Sequence, residues 1–244
     1  MANPTKGHVK MLRRLVRYLI DVPRIVWQYR YQGKCDQLDS YSDSDWAGCT
    51  RTARSTSGGG VMRGSHCIRT WCSTQKFVTL SSAEAELMAA VRATTEAIGI
   101  AQLAESWGVG ATASVFVDSS AALAIVARRG NGKLRHVKVG HLWIQEKAAA
   151  GEIVYRKVRG ECNPADLMTK HLPAHRVAEL SRQLSQTRAL GHAKARLALS
   201  LCFAPEEGLG AGAEYSRSVP GVSGPLAREG RGGVFAYAPD LVDT

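Results

Sequence analysis

The 244-residue chain is short of acid, with 21 Asp and Glu against 32 Lys and Arg and a formal net charge of +11. The shortage is uneven: residues 1–33 hold seven basic and one acidic residue, 34–172 hold 17 and 13, and 173–244 hold eight and seven. A basic front end joined to a stretch where acids gather suggests a polyanionic partner and a cation-dependent site. Cysteine is also scarce. Cys35, Cys49, Cys67, Cys72, Cys162 and Cys202 are too few and scattered for a disulfide scaffold, so reduced thiols in an intracellular compartment are the default. His66, Cys67 and Cys72 look like half a zinc site, but no second half follows at finger spacing. Long apolar runs are missing. MANPTKGHVKMLRRLVRYLI is broken by Lys6, Lys10, Arg13, Arg14 and Arg17, which leaves no signal-peptide core, and no run reaches membrane-spanning length. The chain is therefore expected to be neither secreted nor membrane-bound. At 45% hydrophobic and 22% charged it still has enough apolar residues for a sizeable core.

Residues 5–20 place Val9, Leu12, Val16, Leu19 and Ile20 on one stripe with basic residues opposite, the pattern of an amphipathic helix. Asp21-Val22-Pro23 ends it, IVWQYR (25–30) predicts a short strand, and Gly33 to Gln37 is a plausible boundary. A strand is predicted around Leu38 to Ser42, ending at Asp43. Two more follow at Gly58 to Arg63 and His66 to Cys72, around a Gly64-Ser65 hairpin. A long helix over about 82–107 comes next, with Ser81 and Glu84 at capping-box spacing and Gly108 closing it. SVFVD (114–118) delivers Asp118 to a strand end. Helices are expected over 119–127 and 139–151, a strand over 152–158, and a short helix over 163–172 with Pro164 in its first turn. Three strands in succession favour an antiparallel meander and the later alternation favours parallel additions, which together give a mixed five-stranded α/β domain flanked by helices. HRVAELSRQLSQTRALGHAKARLALSL suits a helix, and from 204 onward the richness in Gly, Pro and Ser predicts disorder.

YSDSDWAG (41–48) sets Asp43 and Asp45 two apart, where strand neighbours point the same way at roughly 6–7 Å. At an effective dielectric near 20 their repulsion costs about 2–3 kcal/mol. A bound cation would remove that cost, and so would water at a strand end. Asp43 and Asp118 end strands that parallel pairing would bring together, while Glu86 and Asp166 fall in first turns of helices. Singly, each acid has an ordinary explanation in helix dipoles or turn formation. As a set they offer the hard oxygen ligands that Mg²⁺ prefers. Two such ions can activate a water and stabilise the leaving oxygen of an in-line phosphoryl displacement without a nucleophilic side chain.

The series YSDSDWAG, RSTSGGGV (54–61), TWCSTQKFVTLSSAEAE (70–86), FVDSSAAL (116–123), RHVKVGH (135–141) and NPADLMTKHL (163–172) resembles the ribonuclease H domain of copia-type LTR retrotransposon Pol polyproteins, over about residues 35–172. Residues 4–31 resemble the segment that precedes that domain, at the end of the reverse transcriptase, and Met1 then looks internal to a longer polyprotein. The resemblance implies a ribonuclease H-like fold and three parts: 1–32 as trailing reverse transcriptase, 33–172 as the ribonuclease H domain, and 173–244 as a tail, partly helical and then disordered. It places the metal-binding and catalytic set on Asp43, Glu86, Asp118 and Asp166, with two Mg²⁺ ions, or Mn²⁺ in their place. Asp45 becomes a neighbour in the D-x-D-W signature. Glu86 is preferred to Glu84 because two positions along a helix turn through about 200°, so both cannot face one site. In addition, Ala85 to Ala90 resembles the catalytic helix of cellular ribonucleases H.

The implied activity is endonucleolytic hydrolysis of the RNA strand of an RNA–DNA hybrid, leaving 5′-phosphate and 3′-hydroxyl ends, with 2′-hydroxyls and duplex shape read across the minor groove. The implied partners are the hybrid and the reverse transcriptase portion of the same polyprotein, in a cytoplasmic retroelement particle or the nucleus. Arg54, Ser55, Ser57, Lys76 and Arg135 are candidate phosphate contacts by type and family position, although any one of them taken singly is better read as a solvated surface residue. Trp46 and Trp71 are expected in the core. Many ribonucleases H carry a loop histidine about ten residues before the last Asp, whereas RKVRGECN (156–163) has none, and the role is not transferred to His136 or His141. The competing expectations are a non-catalytic module that positions a template for a polymerase held elsewhere, and a fragment that folds poorly without that polymerase.

Overall fold

YSDSD lies in the central strand of a five-stranded sheet. The computed structural model describes residues 4–189, and the disorder expected from 204 onward lies outside them. Helix α1 (Lys6–Asp21) is capped by Thr5 and leads into β1 (Arg24–Trp27). Then come β2 (Gln37–Asp45), β3 (Thr56–Arg63) and β4 (His66–Thr74) as an antiparallel meander. Helix α2 (Ser82–Ser106) crosses back to β5 (Thr112–Val117), which pairs parallel with β2. Helices α3 (Ser120–Ala127) and α4 (Trp143–Ala149) precede β6 (Ile153–Lys157), which lies parallel to β5. The sheet order is β4-β3-β2-β5-β6. This is the mixed α/β arrangement expected, with three antiparallel strands followed by parallel additions.

Alternation along the strands sorts residues between two layers. Leu38, Val61, Trp71, Val115 and Val117 pack with Ala90, Ala93 and Ala97 of α2, whose small side chains let the helix lie close to the sheet. On the other face, Met62, Cys67 and Leu184 form a smaller cluster with Tyr41, Leu167 and Met168. Helices α5 (Asp166–Thr169) and α6 (Ala174–Gln183) supply that side.

Several expectations are corrected. Strand β2 runs through Asp45 rather than ending at Asp43. The helix expected over 139–151 begins as a 3₁₀ turn, Val139–Leu142. That expected over 163–172 shrinks to the four residues of α5, because Asn163 is extended, Pro164 and Ala165 form a turn, and Lys170 is extended again. The helix read into the segment after 173 stops at Gln183. Leu184 is fully buried and Ser185 adopts φ 57°, a left-handed turn unfavourable within a helix. Gln186–Ala189 then forms β7, antiparallel to β1 in a separate two-stranded ribbon. Trp71 is buried as expected, but Trp46 is 54% exposed, with its indole N–H donating to the Thr79 carbonyl at 3.2 Å.

Candidate metal centre

The parallel pairing of β2 with β5 sets Ser42 beside Val117, so Asp43 and Asp118 emerge together at the C-terminal ends of adjacent strands. Helix α2 starts near this edge and brings Glu86. One carboxylate oxygen from each of Asp43, Glu86 and Asp118 lies within 4.8 Å of the other two. Asp43 is 1% exposed and Glu86 8%. Glu86 Oε1 accepts from the Ser44 backbone N–H and hydroxyl, both at 3.1 Å. Its Oε2 is buried without a hydrogen-bond partner.

Burial and mutual repulsion dominate the electrostatics. Burial, then the charges of Asp43 and Asp118, pushes the Glu86 carboxyl up to about 8, against the smaller pull of the Ser44 bonds. Burial also raises Asp43, opposed by Thr169 and Lys170, and raises Asp118, aided by the Asp43 charge. Three carboxylates driven toward their neutral forms, one with an orphaned oxygen, suit a divalent cation, which would supply the missing positive charge and take that oxygen.

Asp166 is buried but stands outside this group of three. Its Oδ1 accepts from Lys170 Nζ at 2.7 Å, and the same ammonium lies 3.0 Å from Asp43 Oδ1. Thr169 Oγ1 donates to Asp43 Oδ2. Burial works against the Lys170 charge, but the hydrogen bonds and charges of Asp166 and Asp43 outweigh it and hold its pKa above the ordinary lysine range.

The other predicted residues divide. Arg54, Lys76 and Arg135 are exposed. Ser55 and Ser57 are buried and turned inward: Ser55 Oγ accepts from the Ala47 N–H and pairs with the Thr79 hydroxyl, and Ser57 Oγ accepts from Gln75 Nε2. These serines hold the start of β3 and are buried away from solvent. Asp45 accepts from the Thr56 N–H and ties β2 to β3. Ser81 caps α2 as expected, but Glu84 does not complete the reciprocal box. Its Oε2 accepts from the Leu80 N–H at 2.8 Å and meets His136 Nε2 at 3.1 Å. Glu84 and Glu86 thus serve opposite sides of the helix start.

No protein-family model matches the chain. Over 191 residues it is 28% identical to the retrovirus-related Pol polyprotein from transposon RE1 of Arabidopsis thaliana, covering 77% of this chain and 13% of that protein. Homologues of the chain are thus retrovirus-related Pol polyproteins of transposons. The corresponding polyprotein from transposon TNT 1-94 of Nicotiana tabacum is 27% identical over 186 residues, covering 75% of this chain and 14% of that protein. This Pol homologue therefore spans about one-seventh of the length of these relatives. Among solved structures, the N-terminal RNase H domain of a Mycobacterium tuberculosis protein aligns with a TM-score of 0.37 and 20% identity, over 55% of this chain and 90% of that chain.

Sequence reasoning left three residues of this Pol homologue's site unassigned: Ser44, Thr169 and Lys170. Lys170 follows Asp166 by four, a spacing that pairs charges along a helix, and this signal was present in ADLMTK. Ser44 carried none, since its role depends on α2 arriving beside β2.

Proposed function

We propose that the chain is a divalent-cation-dependent nuclease of ribonuclease H type that hydrolyses the RNA strand of RNA–DNA hybrids within a copia-type Pol polyprotein. The observation that carries this reading is the convergence of Asp43, Glu86 and Asp118 within 4.8 Å, with Glu86 Oε2 buried and unpartnered. The set fits Mg²⁺ or Mn²⁺ by donor type and charge, with Asp166 as the fourth carboxylate on α5.

Bound divalent ions would activate the attacking water and stabilise the departing 3′ oxygen. The chain's own residues set the stage. Ser44 fixes Glu86 through two bonds to Oε1, which leaves the buried Oε2 for a cation. Thr169 orients Asp43 through Oδ2. Arg54, Lys76 and Arg135 are exposed and suit the phosphates flanking the scissile bond. Hydrolysis breaks the P–O3′ bond and leaves 5′-phosphate and 3′-hydroxyl ends. The natural partner would be the reverse transcriptase portion of the polyprotein. Among the described residues no helix is long and apolar enough to cross a membrane.

The test is cleavage of an end-labelled RNA–DNA hybrid by the purified chain with Mg²⁺, with Mn²⁺ and with chelator, beside Asp43→Asn. Metal-dependent loss of RNA from the hybrid alone, abolished by Asp43→Asn, is the expected result. Folded protein that binds the hybrid without cutting it would leave a non-catalytic binding module.

A further inference from the structure

Asp43 and Asp166 are both buried, on different elements, and one ammonium spans them: Lys170 Nζ lies 3.0 Å from Asp43 Oδ1 and 2.7 Å from Asp166 Oδ1. The three-carboxylate group of Asp43, Glu86 and Asp118 does not include Asp166. The carboxylates of one cation position thus stand together, while those of a second are joined through a lysine. We infer that Lys170 is an internal cation of the metal centre, occupying the position between Asp43 and Asp166 and competing with a divalent ion for it. The inference rests on the reading of this cluster as a metal site.

The geometry suits a displaceable occupant. Two buried carboxylates facing each other without a counter-charge are costly, so a cation-free chain gains by holding Lys170 there. The Lys170 backbone is fixed independently, its N–H donating to the Asp166 carbonyl at 2.9 Å. The side chain is 40% exposed, and its flexible stem lets the ammonium withdraw into solvent without moving α5. A divalent ion entering between Asp43 and Asp166 has to break both ion pairs. The ion held by Asp43, Glu86 and Asp118 leaves the Lys170–Asp166 pair standing, and it meets Lys170 as a like charge and as a rival for Asp43 alone. Two unequal binding steps follow, the weaker set by Lys170.

The experiment is calorimetric titration of the full chain with Mn²⁺ at one fixed pH, comparing wild type, Lys170→Met, Lys170→Arg and Asp43→Asn. Wild type is expected to bind in a stronger and a weaker step. Lys170→Met should tighten the weaker step by about tenfold or more, and Lys170→Arg, which keeps the charge, should leave it weak. If Lys170→Met is too unstable without a cation to titrate, its melting temperature against Mn²⁺ concentration reports the same affinity. Unchanged or weaker binding in Lys170→Met, with Asp43→Asn still impaired, would overturn the competing role and leave the metal centre standing. Equal Mn²⁺ uptake by wild type and Asp43→Asn, or none by either, would remove the metal centre itself.

Discussion

Asn163, fully buried, donates its side-chain amide to the carbonyl oxygen of Ser42 at 2.9 Å. The bond joins the residue before Asp43 to the approach to α5, and Asn163 Oδ1 also accepts from the Ala165 N–H at 3.2 Å. This side chain, with Thr169 and Lys170, ties Asp43 to the segment that carries Asp166. Asn163→Ala should cost about 1–3 kcal/mol, since a buried carbonyl loses a donor. Urea unfolding would measure it, and a loss well below 1 kcal/mol would show that the approach to α5 is held elsewhere.

Glu84 and Glu86 should respond to mutation with opposite signs. Burial and its acidic neighbours raise Glu86 from an ordinary 4.5 to about 8. The folded chain therefore keeps a proton that the unfolded chain has released between those pH values. Without divalent ions, stability should be greatest below that window and fall as pH rises through it, by on the order of a few kcal/mol. Glu86→Gln should flatten the slope and exceed wild type in stability near pH 8. Glu84→Ala should lose about 1–3 kcal/mol, because the Leu80 N–H and His136 lose their acceptor. Unfolding in chelator from pH 5 to 8.5 reads both, and a flat wild-type profile would contradict the first.

The three glycines of RSTSGGGV should not be equivalent. A Cβ at Gly59 would lie 2.1 Å from Trp71 Cζ2 and 2.4 Å from the Tyr41 carbonyl oxygen, so Gly59→Ala should cost about 3 kcal/mol. At Gly60 the nearest atoms are 3.4–3.6 Å away, and Gly60→Ala should change stability by about 1 kcal/mol or less. At Gly58 a Cβ would meet Met168 Cβ at 2.6 Å and Thr169 Cγ2 at 2.8 Å, pushing α5 off the sheet. Gly58→Ala should therefore weaken Mn²⁺ binding by about tenfold or more, as read by calorimetry. Thermal unfolding ranks the three, and equal losses would refute the distinction.

Leu184→Ala should cost about 2–5 kcal/mol, because this residue is fully buried in the cluster with Met62 and Cys67. Equilibrium unfolding tests it. A surface-like loss of a few tenths would mean the segment after 173 contributes little to the domain.

Periodicity made the sheet and its long helices legible, since Leu38, Val61 and Val115 declare a buried face in the sequence itself. The three converging acids were legible because each sits at a strand end or a helix start, positions that the order of elements determines. What escaped depended on contacts between distant segments. Ser55 and Ser57 have the chemistry of phosphate contacts, and only the arrival of Thr79 and Gln75 turns them inward. Trp46 is large and apolar enough for a core, but the turn after Asp45 leaves its ring outside. β7 was hidden because QTRA has no strand alternation of its own and forms only by pairing with β1.

That pairing has a mechanical consequence. In the β1–β7 ribbon Arg24 lies opposite Ala189 and Trp27 opposite Gln186, so the start of one flank and the end of the other lie side by side at one end of the ribbon. Tension between the two flanks would peel the ribbon like a zip, loading its rungs one at a time from Arg24 and Ala189 inward rather than shearing them together. The clasp would yield at low force, before any strain reached the strands that carry Asp43 and Asp118.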